Sequence, residues 1–229
     1  MTSDTQILGD RYSFETTRWN LVRVSRDRDA LNALIQIYWK PLYFFARRKG
    51  CDNETAKDVI QDFLTSLTER DGFVRADPGR GRFRTYLLAG LTNHLKDRAK
   101  SATRRKRQAP RGMLTLDFDR GEREYAQEDH AALTPEEVLD RSWARSLLDR
   151  SIEEIDATPV HREAFRLWIA DADFKPISAR TRLSEPAAKS AVHRLRGELR
   201  GIVTDHLRRF SSDEEELRTE LAEFVSLFA

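Results

Sequence analysis

Apolar residues recur every three or four positions through most of this chain, which is the period of an α-helix. Asp29 to Lys49 carries Leu31, Leu34, Ile35, Tyr38, Leu42 and Phe45 at that spacing. Pro41 lies inside the run and is expected to kink or split it, because it lacks an N–H and its ring crowds the preceding turn. Arg47, Arg48 and Lys49 followed by Gly50 mark the end: cations suit the negative helix pole and glycine suits the reversal. Asp52 or Asn53 is the expected cap of a second helix that runs to about Arg70. Its apolar face is Ala56, Val59, Ile60, Phe63, Leu64 and Leu67, with Asp58, Gln61 and Asp62 projecting from the other side.

Asp71-Gly72 and Asp77-Pro78-Gly79-Arg80-Gly81-Arg82 interrupt the pattern. A third helix is expected from about Phe83, carrying Tyr86, Leu87, Leu88, Leu91 and Leu95, and running into Arg98, Lys100, Arg104, Arg105, Lys106 and Arg107. From about Gln108 to Leu133 the periodicity is lost and Pro110, Gly112 and Gly121 occur, so this stretch is expected to be a linker. Leu114, Leu116 and Phe118 alternate with polar residues and predict at most a short extended piece there.

Thr134-Pro135-Glu136-Glu137 opens the second half, with Thr134 as cap, Pro135 in the first turn and acids at the positive pole. Val138, Trp143, Leu147, Leu148, Ile152 and Ile155 share one face of that helix. Further helices are expected over His161 to Ala170, about Phe174 to Leu183, and Pro186 to about Arg208, the last capped by Ser184. Ser212 to Phe228 reads as an acidic amphipathic helix. The fold class predicted is all-α.

Composition alters this picture in two respects. With 229 residues, 34% of them charged and 39% hydrophobic, a single large core is not expected; two small helical cores joined by a polar connector fit better. The net charge of +2 conceals segregation, since Lys96 to Arg111 holds eight Lys or Arg against one Asp, while Asp213 to Glu223 is strongly acidic. A basic block suggests an anionic partner such as nucleic acid; the alternative is a solvated linker. Cys51 is alone, so no internal disulfide can form and a reducing, cytoplasmic setting is expected. No apolar run reaches the ~18 residues of a membrane span, and Met1 to Asp10 lacks the pattern of a signal peptide.

The candidate chemistry is recognition. A short helix holding Phe174 and Ile177 meets a capped second helix through a brief turn, which is helix-turn-helix spacing. The second helix is apolar on one side and carries Lys189, Ser190, His193, Arg194 and Arg196 on the other. A recognition helix needs that asymmetry to present donors to base edges and phosphates, although an ordinary amphipathic surface helix shows it too. Between Arg80 and Arg107, Phe83 and Tyr86 sit among basic groups, as in single-strand binding sites, where bases stack on aromatics. Phe83 fits a core position better, and Tyr86 fits either. Gly79 and Gly81 make no phosphate loop, having neither a Gly-Lys-Ser/Thr pattern nor a preceding strand. His94, His130, His161, His193 and His206 show no metal-ligand spacing with one another or with Cys51, and no hydrolase motif occurs, so no enzyme activity and no cofactor are expected.

Thr17-Arg18-Trp19, Tyr38-Trp39-Lys40-Pro41-Leu42-Tyr43, Val59-Ile60-Gln61-Asp62-Phe63, and the run from Asp77 to Leu87 occur in that order. Leu114-Thr115-Leu116-Asp117-Phe118 and the run from Ser184 to Arg196 follow. In this ordered set, over about Thr16 to Arg209, the chain resembles the sigma-70 family of RNA polymerase subunits. The likeness is to the extracytoplasmic-function (ECF) type, and most of all to the sigma-like proteins frequent in planctomycetes.

The resemblance implies an arm (1–15), a second sigma region (16–108), a flexible linker (109–134), a fourth sigma region (135–209) and an acidic C-terminal helix (210–229). It implies that Asp58, Gln61, Asp62 and Phe63 dock on core polymerase, whose beta-prime and beta subunits would be partners. Arg80, Arg82, Arg84, Tyr86, Asn93, Asp97, Arg98, Arg104 and Arg105 would serve the minus-ten element, whose bases must be unstacked at a few kcal/mol each. Ser184, Lys189, Ser190, His193, Arg194 and Arg196 would serve the minus-thirty-five element. Promoter DNA and an anti-sigma factor or other regulator complete the implied partners.

Three residues depart from the family pattern. Arg182 holds the place where a glycine is usual, Thr181 that of an aliphatic residue, and Pro186 that of a glycine. The competing expectation is a stand-alone helix-turn-helix regulator, or a sigma-derived adaptor that no longer initiates transcription.

Overall fold

The computed structural model describes residues 28–69, 83–101, 116–209, 211 and 213–228. Every regular element among these residues is a helix, with no strand among them. The helices are α1 (Arg28–Arg48), α2 (Asn53–Glu69), α3 (Phe83–Ser101), α4 (Phe118–Gln127), α5 (Pro135–Glu154), α6 (Pro159–Ile169), α7 (Phe174–Thr181), α8 (Glu185–Arg208) and α9 (Glu214–Ser226). No helix among the described residues is long and apolar enough to cross a membrane.

Local chemistry accounts for most helix ends. Gly50 sits at φ +96, the left-handed reversal that closes α1. The Asp52 carboxylate caps α2, accepting the Thr55 N–H at 2.7 Å, and that bond holds its pKa below the ordinary carboxylate value. Thr134 caps α5 through a reciprocal box, in which the Glu137 side chain accepts the Thr134 N–H and the Glu137 N–H returns to the Thr134 hydroxyl. Pro41 does not split α1, which continues through it as one helix of 21 residues.

α1 is the hub. Leu34, Ile35, Ile37, Tyr38, Trp39, Leu42, Tyr43, Phe44, Phe45 and Ala46 are all buried, so the helix is covered on nearly every side. One flank meets α2, another α4, and the most extensive contact is with α5. α1 and α5 run antiparallel: Lys49 at the end of α1 pairs with Glu136 at the start of α5, while Tyr38, further back, meets Trp143. The main core therefore joins Leu42, Phe45, Val59, Ile60 and Leu87 of the first half to Val138, Trp143, Leu147, Leu207 and Phe224 of the second. Two smaller clusters, around Phe165 with Leu195 and around Ile177 with Ala188, hold α6, α7 and the start of α8 on the far end of α5.

The segment expected to be a linker is corrected in part by this packing. Leu116 and Asp117 lead into α4, and Phe118 opens a helix and not an extended strand. Phe118 packs edge-on against Trp39 with ring centroids 5.3 Å apart. A Cβ at Gly121 would lie 3.1 Å from the Trp39 ring, so glycine is needed for the approach of α4 to α1. Glu122 accepts from Arg47 at 3.0 and 2.8 Å and from the Tyr43 hydroxyl, and Lys40 reaches Glu124 at 2.6 Å. Burial, then the Glu122 carboxylate, push the Tyr43 pKa up. Arg48 donates to the carbonyls of Leu133 and Ala131, so the chain stays bound to α1 up to the start of α5. Among the described residues the main core is shared by both halves, with two smaller clusters beside it in the second half.

Candidate nucleic-acid interface

The turn that joins α7 to α8 is set by Thr181, Arg182, Ser184 and Pro186. The Thr181 hydroxyl donates to the Ile177 carbonyl at 2.7 Å, satisfying within the helix the side chain that replaces the usual aliphatic group. Arg182 then adopts φ +60, the left-handed conformation that the resemblance led one to expect at this place and that glycine would take more readily. Ser184 caps α8, accepting the Ala187 N–H at 3.3 Å, and Pro186 lies in the first turn where a missing N–H costs nothing.

Behind this turn α8 is two-sided. Ala188, Ala191, Val192 and Leu195 are buried against α6 and α7, whereas Lys189, Ser190, His193, Arg194 and Arg196 are exposed. The exposed cations are steered by neighbours. The Lys189 ammonium lies 5.5 Å from the Phe174 ring centroid, and the Arg196 guanidinium lies 5.4 Å from that of Trp168. Arg194 has an i,i+4 contact with Glu198 at 3.5 Å. Such exposed contacts are worth at most about 1 kcal/mol each, less than a charge-assisted bond to a phosphate can supply. The face can therefore donate to base edges and backbone along successive helical turns.

The residues expected to dock on polymerase divide. Asp58 and Gln61 are exposed and Asp62 is half-buried. Phe63 is corrected: it is 3 % exposed, lies beneath Gly90, where an added Cβ would come within 3.2 Å of its ring, and faces His94. It belongs to the α2–α3 core and presents nothing to a partner.

Those expected at the minus-ten element divide too. Arg80, Arg82, Arg104 and Arg105 lie outside the described residues, as do the arm 1–15 and the Thr17-Arg18-Trp19 motif. Asn93 and Asp97 are exposed on α3. Tyr86 is half-buried and stacks on Phe83, which is a core residue, as expected, in edge contact with Tyr38. Arg98 reaches back to α2, 3.1 Å from Asp62 and 3.3 Å from Asp58, so a residue expected at DNA pairs with two expected at polymerase.

Arg84 is corrected outright. It is 7 % exposed, with its guanidinium 3.7 Å over the Trp143 ring, and it pairs with Glu220 and Glu223 of α9 at 3.0 Å each and with Asp140 of α5 at 3.3 Å. The expectation of an acidic amphipathic helix over α9 does not include this cluster. A signal was present: Leu217, Glu220 and Phe224 share one face, and a carboxylate inside an apolar stripe demands a cation from elsewhere in the fold. Another polar contact at a buried side chain joins the end of α5 to the end of α8. His206 is 2 % exposed with Nε2 2.8 Å from Glu154. Burial holds the imidazole pKa below its ordinary value, and the Glu154 carboxylate offsets this only in part.

Among the described residues no group of His, Cys, Asp and Glu is placed to hold a metal ion. Burial raises the Cys51 thiol pKa, which disfavours the reactive thiolate. No family model matches this chain, and neither a curated protein nor a solved structure matches it.

Proposed function

We propose that this chain is a sigma-type subunit of RNA polymerase, of the extracytoplasmic-function kind, that binds core enzyme and directs promoter recognition, melting and initiation without catalysis or a cofactor of its own. The observation that carries the reading is the exposed row Lys189, Ser190, His193 and Arg194 on α8, set behind the left-handed turn at Arg182. On this reading the row meets the minus-thirty-five element. Asp58, Gln61 and Asp62 meet core polymerase in the cytoplasm, and Arg98 exchanges its carboxylate partners for DNA once they are engaged. Asn93, Asp97 and Tyr86, with the basic residues on either side of α3, meet the minus-ten strand.

The shared core favours a second reading. α5 packs along α1 and Arg84 is buried, an arrangement suited to a compact DNA-binding regulator or sigma-derived adaptor that does not melt DNA. Co-elution with core RNA polymerase and run-off transcription from a selected promoter separate the two. The sigma reading expects both, and expects Asp62→Lys to weaken polymerase binding while helical content is retained. Tight duplex binding by α8 with no polymerase association would establish the regulator instead.

A further inference from the structure

The exposed face of α8 has two unlike flanks. Lys189, His193, Arg196 and Arg200 are all exposed and recur at helical spacing, so they form one row along the helix. The row extends over about 16 Å of the helix axis. Arg194 lies on the other flank with Glu198 and Asp205, the two carboxylates within the body of α8. Those carboxylates are engaged: Glu198 meets Arg194 at 3.5 Å and accepts the Asp156 N–H at 2.7 Å, and Asp205 meets Arg208 at 3.1 Å. Among the described residues no carboxylate forms an ion pair with Lys189, Arg196 or Arg200.

Aromatic rings take the place of carboxylates in this row. The Lys189 ammonium lies 5.5 Å from the centre of the Phe174 ring and the Arg196 guanidinium 5.4 Å from that of Trp168, both within cation–π reach. Neither ring belongs to α8. Phe174 opens α7 and Trp168 stands in the last turn of α6; each packs on the two small cores and remains partly exposed. Their placement is fixed from outside α8. Trp168 stacks on Phe165 with ring centroids 5.9 Å apart, and the chain between the two rings reverses at Asp171, φ +64, where the Ala172 N–H donates to the Leu167 carbonyl at 3.0 Å. A free lysine or arginine surrenders rotamer freedom when it binds, and one already resting on a ring surrenders less. A ring, unlike a carboxylate, also leaves the positive charge uncancelled.

We propose that Phe174 and Trp168 are positioning residues for a phosphate track: they hold Lys189 and Arg196 so that these two and Arg200 follow the backbone of one strand of duplex DNA. The choice of ligand rests on the DNA-binding reading of α8; the positioning rests on the two ring contacts. One strand carries a phosphate about every 3.4 Å of the duplex axis, so three cations spread over about 16 Å reach separate phosphates. Phosphate contacts fix register and add affinity without reading sequence.

The test uses the full chain and fluorescence anisotropy with two short DNA duplexes of unrelated mixed sequence, titrated over a range of salt. Lys189→Gln, Arg196→Gln and Arg200→Gln should each weaken binding to both duplexes by the same factor, and each should lower the slope of log affinity against log salt by about one. Phe174→Leu should weaken both roughly two- to fivefold and add nothing in a chain that already carries Lys189→Gln. Trp168→Leu should behave likewise against Arg196→Gln, and Phe174→Tyr, which keeps the ring, should bind as the unaltered chain does. If a leucine variant loses helical content, the ring-current shift of the Lys189 ε-methylene protons in the unaltered chain replaces it, and an unshifted resonance overturns the positioning role.

A Phe174→Leu loss that persists in the Lys189→Gln chain also overturns that role, because a ring that only supports the fold acts with or without its cation. Unequal losses on the two duplexes, an unchanged salt slope, or no duplex binding by the unaltered chain overturns the phosphate track. The expected slopes in a chain that associates with no core polymerase keep the track and remove the promoter reading. Run-off transcription with unchanged slopes in all three glutamine variants does the reverse.

Discussion

Replacing Phe118 by alanine tests whether the stretch before α5 is a tether or part of the core. Phe118 is 7 % exposed, packs edge-on against Trp39 at 5.3 Å and lies 5.6 Å from the Tyr43 ring. Truncating a buried phenylalanine costs about 3–5 kcal/mol, the sum of lost transfer energy and the cavity left behind. Part of that cost is the two ring contacts, at roughly 0.5–1.5 kcal/mol each. Phe118 stands at the first turn of α4, where neighbours can partly collapse, so the lower end applies: about 3 kcal/mol. For a chain of this size that corresponds to a fall in Tm of roughly 6–12 °C. Urea denaturation followed by tryptophan fluorescence measures it directly, with Trp39 beside the cavity. A change below about 0.5 kcal/mol, the value for a surface site, would mean that α4 does not hold α1 and that the segment is a solvated strap after all.

Two further outcomes follow from local geometry. Arg182→Gly should stabilise the chain by about 0.5–1 kcal/mol in the same denaturation assay, since glycine takes the left-handed conformation without the Cβ penalty; a loss of stability would show that the arginine side chain repays that penalty. The buried His206 should make stability fall on acidification. Its folded pKa is depressed below the ordinary 6.5, so its contribution is complete above that value and is lost as pH falls through the folded one. Glu154, held below the ordinary 4.5 because His206 and Arg150 outweigh its burial, extends the decline to lower pH. The thermal midpoint against pH reads this, and a midpoint that rises on acidification through the imidazole range would mean that His206 is protonated in the fold.

The sequence by itself determined the helices and most of their ends. The α1 and α2 boundaries, the Thr134, Asp52 and Ser184 caps and the left-handed place at Arg182 all depend on residues a few positions apart, and such interactions survive whatever the rest of the chain does. The polar face of α8 was legible for the same reason, because its period alone separates Lys189 and Arg194 from Val192 and Leu195. Only the tertiary structure decided what covers each apolar face. α1 is apolar almost all round and needs covering from both halves, so it recruits α5 and converts Phe118 and Gly121 from linker residues into packing residues. Arg84 changed role in the same way: whether such a side chain meets solvent depends on shape and charge brought from up to 139 positions away, whereas the burial of Phe63 agrees with its place on the apolar face of α2. That information is carried by the mutual fit of distant surfaces, and no local period encodes it.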